Sequence, residues 1–171
     1  RGSVSERLAR QAPCAVLLVK GTVRAIRRVL LCDSGAVEPP LRERFLAEGL
    51  GKLIEQDVDV TVPHVMSQIS AGPGIDDKQL SADAEELIRS HSPEGEWLEE
   101  DVRLLERTGG RTRPKVRHGF VEDEILAEAR QGDYDLVVIG AHREHGWQRF
   151  LLDDIAHEII TRIDRHLLVI P

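Results

Sequence analysis

Short aliphatic runs separated by stretches of helical periodicity leave this chain very few architectures. The clearest runs are Arg28-Val29-Leu30-Leu31-Cys32, Val58 through Val65, Leu136-Val137-Val138-Ile139 and Leu167-Leu168-Val169-Ile170. Apart from Val58 to Val62, where apolar and polar residues alternate, these runs are nearly continuous, so the strands are expected to be buried on both faces, as in a parallel sheet. Between them, Leu41, Phe45, Leu46, Leu50, Leu53 and Ile54 supply one helical face, and Trp97, Leu98, Val102 and Leu105 another. Strands that alternate with helices imply right-handed crossovers and helices on both faces of one sheet. The expected fold class is α/β, a doubly wound, five-stranded parallel sheet.

In more detail, strands are expected at residues 28–32, 58–65, 111–118, 135–140 and 166–170. Helices are expected over 41–54, 81–90, 94–108, 121–131 and 154–163. Pro39 and Pro40 suit the first helix start, Gly109-Gly110 closes the third, and Gly132 falls at the C′ position after the fourth. The strand at 111–118 is polar and reads as lying near an edge. Pro63 marks an edge position or a bulge in its strand. Residues 66–77 and the stretch up to Phe150 read as loops.

The first 20 residues hold a surplus helix (3–11) and strand (15–19) that echo the other end of the chain at an offset of 151 residues. Val4, Leu8 and Ala12 fall opposite Ile155, Ile159 and Ile163, and Val16-Leu17-Leu18-Val19 opposite Leu167-Leu168-Val169-Ile170. The reading is of the terminal helix and strand of one domain (1–20), a linker (21–27) and a second, whole domain (28–171). An apolar final strand left as a bare sheet edge invites association. The surplus strand is therefore expected to pair antiparallel with 166–170, within the chain or by exchange with a second copy.

With 41% hydrophobic and 31% charged residues, the composition is that of an ordinary globular protein. A net charge of −7 argues against broad nucleic-acid binding, which depends on phosphate neutralisation by Lys and Arg. No apolar stretch approaches the roughly 20 residues of a membrane span, and no secretory signal is visible. Cys14 and Cys32 read as reduced thiols, so a cytoplasmic location is expected.

The order and spacing of several pieces resemble the universal stress protein A family. Val29-Leu30-Leu31-Cys32-Asp33-Ser34 is similar to its first strand and aspartate. Val116-Arg117-His118-Gly119 followed by Glu124-Ile125-Leu126 is similar to its third strand and following helix, and residues 135–142 to its fourth strand and loop. The resemblance implies an adenine nucleotide alpha hydrolase-like, Rossmann-like fold, a role in stress response or signalling, no catalysis, and pairing with another such domain through the final strand. It also admits a cytosolic regulatory domain attached to a membrane transporter. Asp33 resembles the adenosine-contacting aspartate, and Val65 and Ile139 the apolar positions flanking the base.

Nucleotide-binding members carry G-x2-G-x9-G-[ST] after the fourth strand, where glycines let backbone N–H groups close on phosphate. Here the four positions hold Gly140, Arg143, Asp153 and Asp154, next to His142. Carboxylates at the start of the last helix would cap it and take the electrostatic niche a phosphate uses. Adenine nucleotide such as ATP is therefore expected to bind this domain weakly or not at all.

Other constellations carry less. His142, His145, Asp153, Asp154 and His157 could converge, but HxxH in a loop is a poor metal signature, and no metal is expected. Ser34 lies in no nucleophile-elbow pattern, and no Walker motif occurs. Acidic pairs such as Glu99-Glu100 read as solvated surface.

Overall fold

The computed structural model describes residues 4–22, 24–33, 39–48, 51–52, 57–66, 82–140 and 148–171. In chain order the elements are α1 (Val4–Gln11), β1 (Val16–Leu18), β2 (Arg28–Cys32), α2 (Leu41–Ala47), β3 (Asp59–Met66), α3 (Ala84–Arg89), α4 (Pro93–Glu106), β4 (Arg111–His118), α5 (Val121–Gln131), β5 (Leu136–Gly140), α6 (Gln148–Arg162) and β6 (His166–Ile170). The strands form one six-stranded sheet in the order β1-β6-β5-β2-β3-β4. Every pairing from β6 to β4 is parallel, and β1 alone is antiparallel. The doubly wound expectation holds, with the surplus strand added at one edge.

Two apolar layers sandwich the sheet. Val29, Leu31, Val138, Leu168 and Ile170 pack with Leu41 and Phe45 of α2 and with Leu98 and Leu105 of α4. Leu30, Val137, Ile139, Leu167 and Val169 pack on the other face with Ile125 and Leu126 of α5, Ile159 of α6 and Ile163 just after it. Alternation of side chains along each strand makes both layers from the same short runs. Local signals set the helix starts: Ser92 Oγ accepts from the Gly95 N–H at 3.1 Å with Pro93 in the first turn, and Asp83 and Glu86 form a reciprocal capping box.

Pro63 sits where a donor is not needed. The Asp59 N–H bonds the Arg27 carbonyl, so odd positions of β3 face β2, and that pairing ends at Thr61. Pro63 thus withholds a donor only beyond the shared ladder, although β3 is an interior strand. The polar strand β4 is the outer one, and its Lys115 and Arg117 reach the buried Glu128 of α5 at 2.7 and 2.9 Å. Charge along an outer strand discourages edge-to-edge pairing.

Three sequence expectations need correction. The helix expected from 154 begins at Gln148: no breaker lies between Gln148 and Asp154, and Leu151, Ile155 and Ile159 keep an i, i+4 spacing through the boundary. The helix expected over 41–54 ends at Ala47, ahead of Gly49 and Gly51. Gly132 is the C-cap of α5 with φ −83°, and Asp133 takes the left-handed conformation at φ 50°. A Cβ on Gly132 would collide with the Tyr134 ring, so close packing, not backbone handedness, requires glycine there.

The N-terminal unit is bound at three places. β1 pairs with β6 in the register Val16↔Val169, Leu17↔Leu168, Leu18↔Leu167. Ala9 is buried in the layer with α5 and α6. Lys20 Nζ donates to the carbonyls of Ile160 (3.1 Å) and Ile163 (2.7 Å), while its backbone N–H donates to His166 Nδ1 at 3.0 Å. An ammonium at a helix C-terminus satisfies orphan carbonyls and complements the helix dipole. Deleting residues 1–20 is expected to lower the melting temperature by several degrees and to produce larger species in light scattering. An unchanged melting curve and oligomeric state would show that the unit merely rests on the edge.

Candidate functional site

Strand order reverses between β2 and β5, which is where open α/β sheets place their ligand crevice. The two strands stay paired through Cys32↔Ile139, whereas β3 leaves β2 after Thr61. The cleft is thus framed by Asp33 after β2, the end of β3 and Gly140 at the end of β5.

Asp33 is almost fully buried, and its Oδ2 accepts the Arg42 backbone N–H at 3.0 Å. That bond satisfies one of the orphan donors in the first turn of α2, where Pro40 at the N-cap offers no side-chain acceptor. The Arg42 guanidinium lies 3.9 Å from the same oxygen, bonds Asp101 Oδ1 of α4 at 2.6 Å, and reaches Glu100 Oε2 at 3.0 Å. One buried cation is shared by two buried carboxylates and one exposed one. Burial, with Asp33 adding to it, pushes the Asp101 carboxyl up to about 7, against the pull of Arg42.

Arg44, two residues along α2, reaches the end of β5. A Cβ on Gly140 would meet its NH2 at 2.7 Å, and its NH1 donates to the Pro171 carbonyl at 2.7 Å. Its Nε is buried without a hydrogen-bond partner. Burial lowers the affinity of this guanidinium for its proton, with Asp33 opposing. The surviving glycine is therefore the place where a guanidinium of the same chain takes the space that a side chain would fill.

The remaining expected positions divide three ways. Ile139 is buried and Val65 half-buried, both against the layer under α5 and α6. Asp153 and Asp154 fall in the second turn of α6 rather than at its start, so neither is the N-cap expected of it. His142 and Arg143 lie outside the described residues, as do His145 and Trp147. Among the described residues no group of His, Cys, Asp or Glu could hold a metal ion.

Sequence reasoning missed Arg42, Arg44 and Asp101. A signal for Asp101 existed: it stands three residues after Leu98 and four before Leu105, in phase with the buried stripe of α4. Arg42 is likewise three residues before Phe45.

The sequence model of the universal stress protein family matches residues 26–171. The chain belongs to the universal stress protein family. No curated protein matches the sequence. Among solved structures, a universal stress protein from Archaeoglobus fulgidus in complex with dAMP is 18% identical, with a TM-score of 0.54, over 86% of this chain and 100% of that one. A universal stress protein family protein from Arabidopsis thaliana with AMP bound is 17% identical, with a TM-score of 0.54, over 84% of this chain and 90% of that one. Another universal stress protein from Archaeoglobus fulgidus DSM 4304 is 16% identical, with a TM-score of 0.62, over 99% of this chain but only 54% of its own length. These identities support likeness of fold, and the universal stress fold here carries its own arrangement of charge at the cleft.

A carboxyl whose pKa is higher folded than unfolded holds its proton in the folded state over the interval between the two values. Its contribution to stability is therefore present at low pH and falls as pH rises from about 4 to about 7. The stability gap between wild type and Asp101→Asn, measured by chemical denaturation, is expected to shrink between pH 5 and pH 8. A gap that stays constant over that interval would mean that Arg42 holds Asp101 as an anion throughout.

Proposed function

We propose that this chain is a regulatory universal stress domain that acts without catalysis and binds adenine nucleotide weakly. We further propose that its N-terminal unit belongs to a preceding domain of the same family. The observation that carries the nucleotide reading is Arg44 against Gly140. A phosphate-binding glycine works because its backbone is bare, and here a guanidinium occupies the space beside it. Asp33 is engaged by the first turn of α2 and faces Arg42, which leaves it poorly placed to accept from a ribose. The complexes of related proteins with dAMP and AMP suggest the ligand class the cleft descends from.

The tandem reading draws on the echo between the two ends of the chain. It also draws on the Archaeoglobus protein whose alignment takes in 99% of this chain, the N-terminal unit included, yet little more than half of its own length. The family model by contrast starts at residue 26.

Titration calorimetry with ATP and AMP tests the nucleotide reading. Wild type is expected to give no low-micromolar binding of ATP, and Arg44→Ala is expected to tighten it by on the order of tenfold, about 1.4 kcal/mol. Tight binding of ATP by wild type would overturn the reading. A loss of affinity in Arg44→Ala would make Arg44 a ligand contact instead of an obstruction.

A further inference from the structure

Lys20 closes the pairing of β1 with β6, and it does so on a titratable acceptor. The last registered pair at that end of the ladder is Leu18↔Leu167. Two residues on, the Lys20 N–H donates at 3.0 Å to Nδ1 of His166, the first residue of β6. A ring nitrogen that accepts carries no proton, so the neutral imidazole keeps its one proton on Nε2. Beyond Lys20 the chain turns away through Gly21 at φ 69°, with nothing within 4 Å of where a Cβ would stand.

The charges around the ring offer a second proton no counter-ion. The Lys20 ammonium is held in the same corner, on the carbonyls of Ile160 and Ile163. In the turn before β6, the Arg165 guanidinium lies 3.9 Å from the Asp164 carboxylate. Arg162, in the last turn of α6, is bound to Asp123 and Glu158. On the other side the ladder partner of His166 is Leu136 of β5. The preceding Asp135 gives its Oδ2 to the N–H groups of Arg27 and Arg28, and Asp133 pairs with the Arg28 guanidinium. Arg24 and Arg27 of the linker are exposed. Among the described residues no carboxylate pairs with the His166 ring.

Histidine changes its charge within the physiological range of pH, and an imidazolium donates from both nitrogens and accepts at neither. Protonation therefore turns the acceptor that meets the Lys20 N–H into a donor pointed at it, and it adds a cation to a corner that already holds an ammonium. We propose that Lys20 and His166 form an acid-released latch, which holds the end of β1 on β6 near neutral pH and lets it go when the ring is protonated. The body of the sheet stays closed, because its parallel ladders lie between two apolar layers. The N-terminal strand shares only three registered pairs with it, so opening there is the less costly event. The latch works within this chain, whatever the crevice binds and whatever precedes the N-terminal unit.

Amide hydrogen exchange of the intact 171-residue chain tests this, read as protection relative to the unstructured rate at each pH. From about pH 8 to about pH 5.5 the protection of residues 16–20 is expected to fall by about tenfold or more, while that of residues 136–140 holds. His166→Asn keeps an acceptor, Oδ1, near the place of Nδ1 and has no proton to gain, so its protection at 16–20 is expected to stay level over the same interval. Nitrogen NMR of the wild-type ring near pH 8 is expected to show Nδ1 bare and Nε2 protonated, a readout that needs no variant. A proton on Nδ1 there would overturn the latch. So would level protection of 16–20 in the wild type, the same fall in His166→Asn, or an equal fall at 136–140.

Discussion

The pairing of β2 with β5 is the contact on which the rest of this molecule depends. These strands are adjacent in the sheet but far apart in sequence, and Val29, Leu30, Leu31, Leu136, Val137 and Val138 are fully buried. Their backbone groups can be satisfied only by each other and by the flanking strands, since no water reaches them. Asp135 pins the start of the pair, its Oδ2 accepting the N–H groups of Arg27 and Arg28 at 2.9 Å each. Once that ladder is set, the chain leaves to one side through β3 and β4 and to the other through β6. The crevice opens where the two directions part.

The crevice is unusual in holding its charge inside. Two arginines of α2, two residues apart, line it, one balanced by Asp33 and Asp101, the other turned onto Gly140 and the Pro171 carbonyl. Burying such groups costs desolvation that their attraction only partly offsets, so an ion cluster of this kind is weak evidence for stability. What it does supply is orientation. Asp33 fixes the first turn of α2, and Arg42 ties that turn to α4.

The strands β2, β5 and β6 could be read from the sequence almost to the residue because each is a nearly continuous aliphatic run buried on both faces. The antiparallel home of 16–18 was legible for the same reason, since an apolar edge and an apolar orphan have one solution in common. The site was less legible. Asp101 sits beside Glu99 and Glu100, and in sequence the three look like one solvated acidic run, whereas the helix turns only Asp101 inward. The start of α6 was misplaced because Asp153-Asp154 makes an attractive cap, and local capping preference yields to a longer helical pattern running through it. Arg44 gave no signal at all. Its role follows from where β5 and β6 end, and that is settled by the sheet.

The direction of β1 carries a mechanical meaning. Val16, at the start of β1, lies beside Val169, near the end of β6. Tension applied through the chain on the N-terminal side of Val16 and the C-terminal side of Val169 would meet this ladder at a single end. The load would fall on one hydrogen bond at a time, and the strands would unzip at low force instead of resisting in shear. The parallel ladder between β5 and β6 runs the other way to such a pull. The N-terminal strand would therefore peel away first and leave the doubly wound body intact.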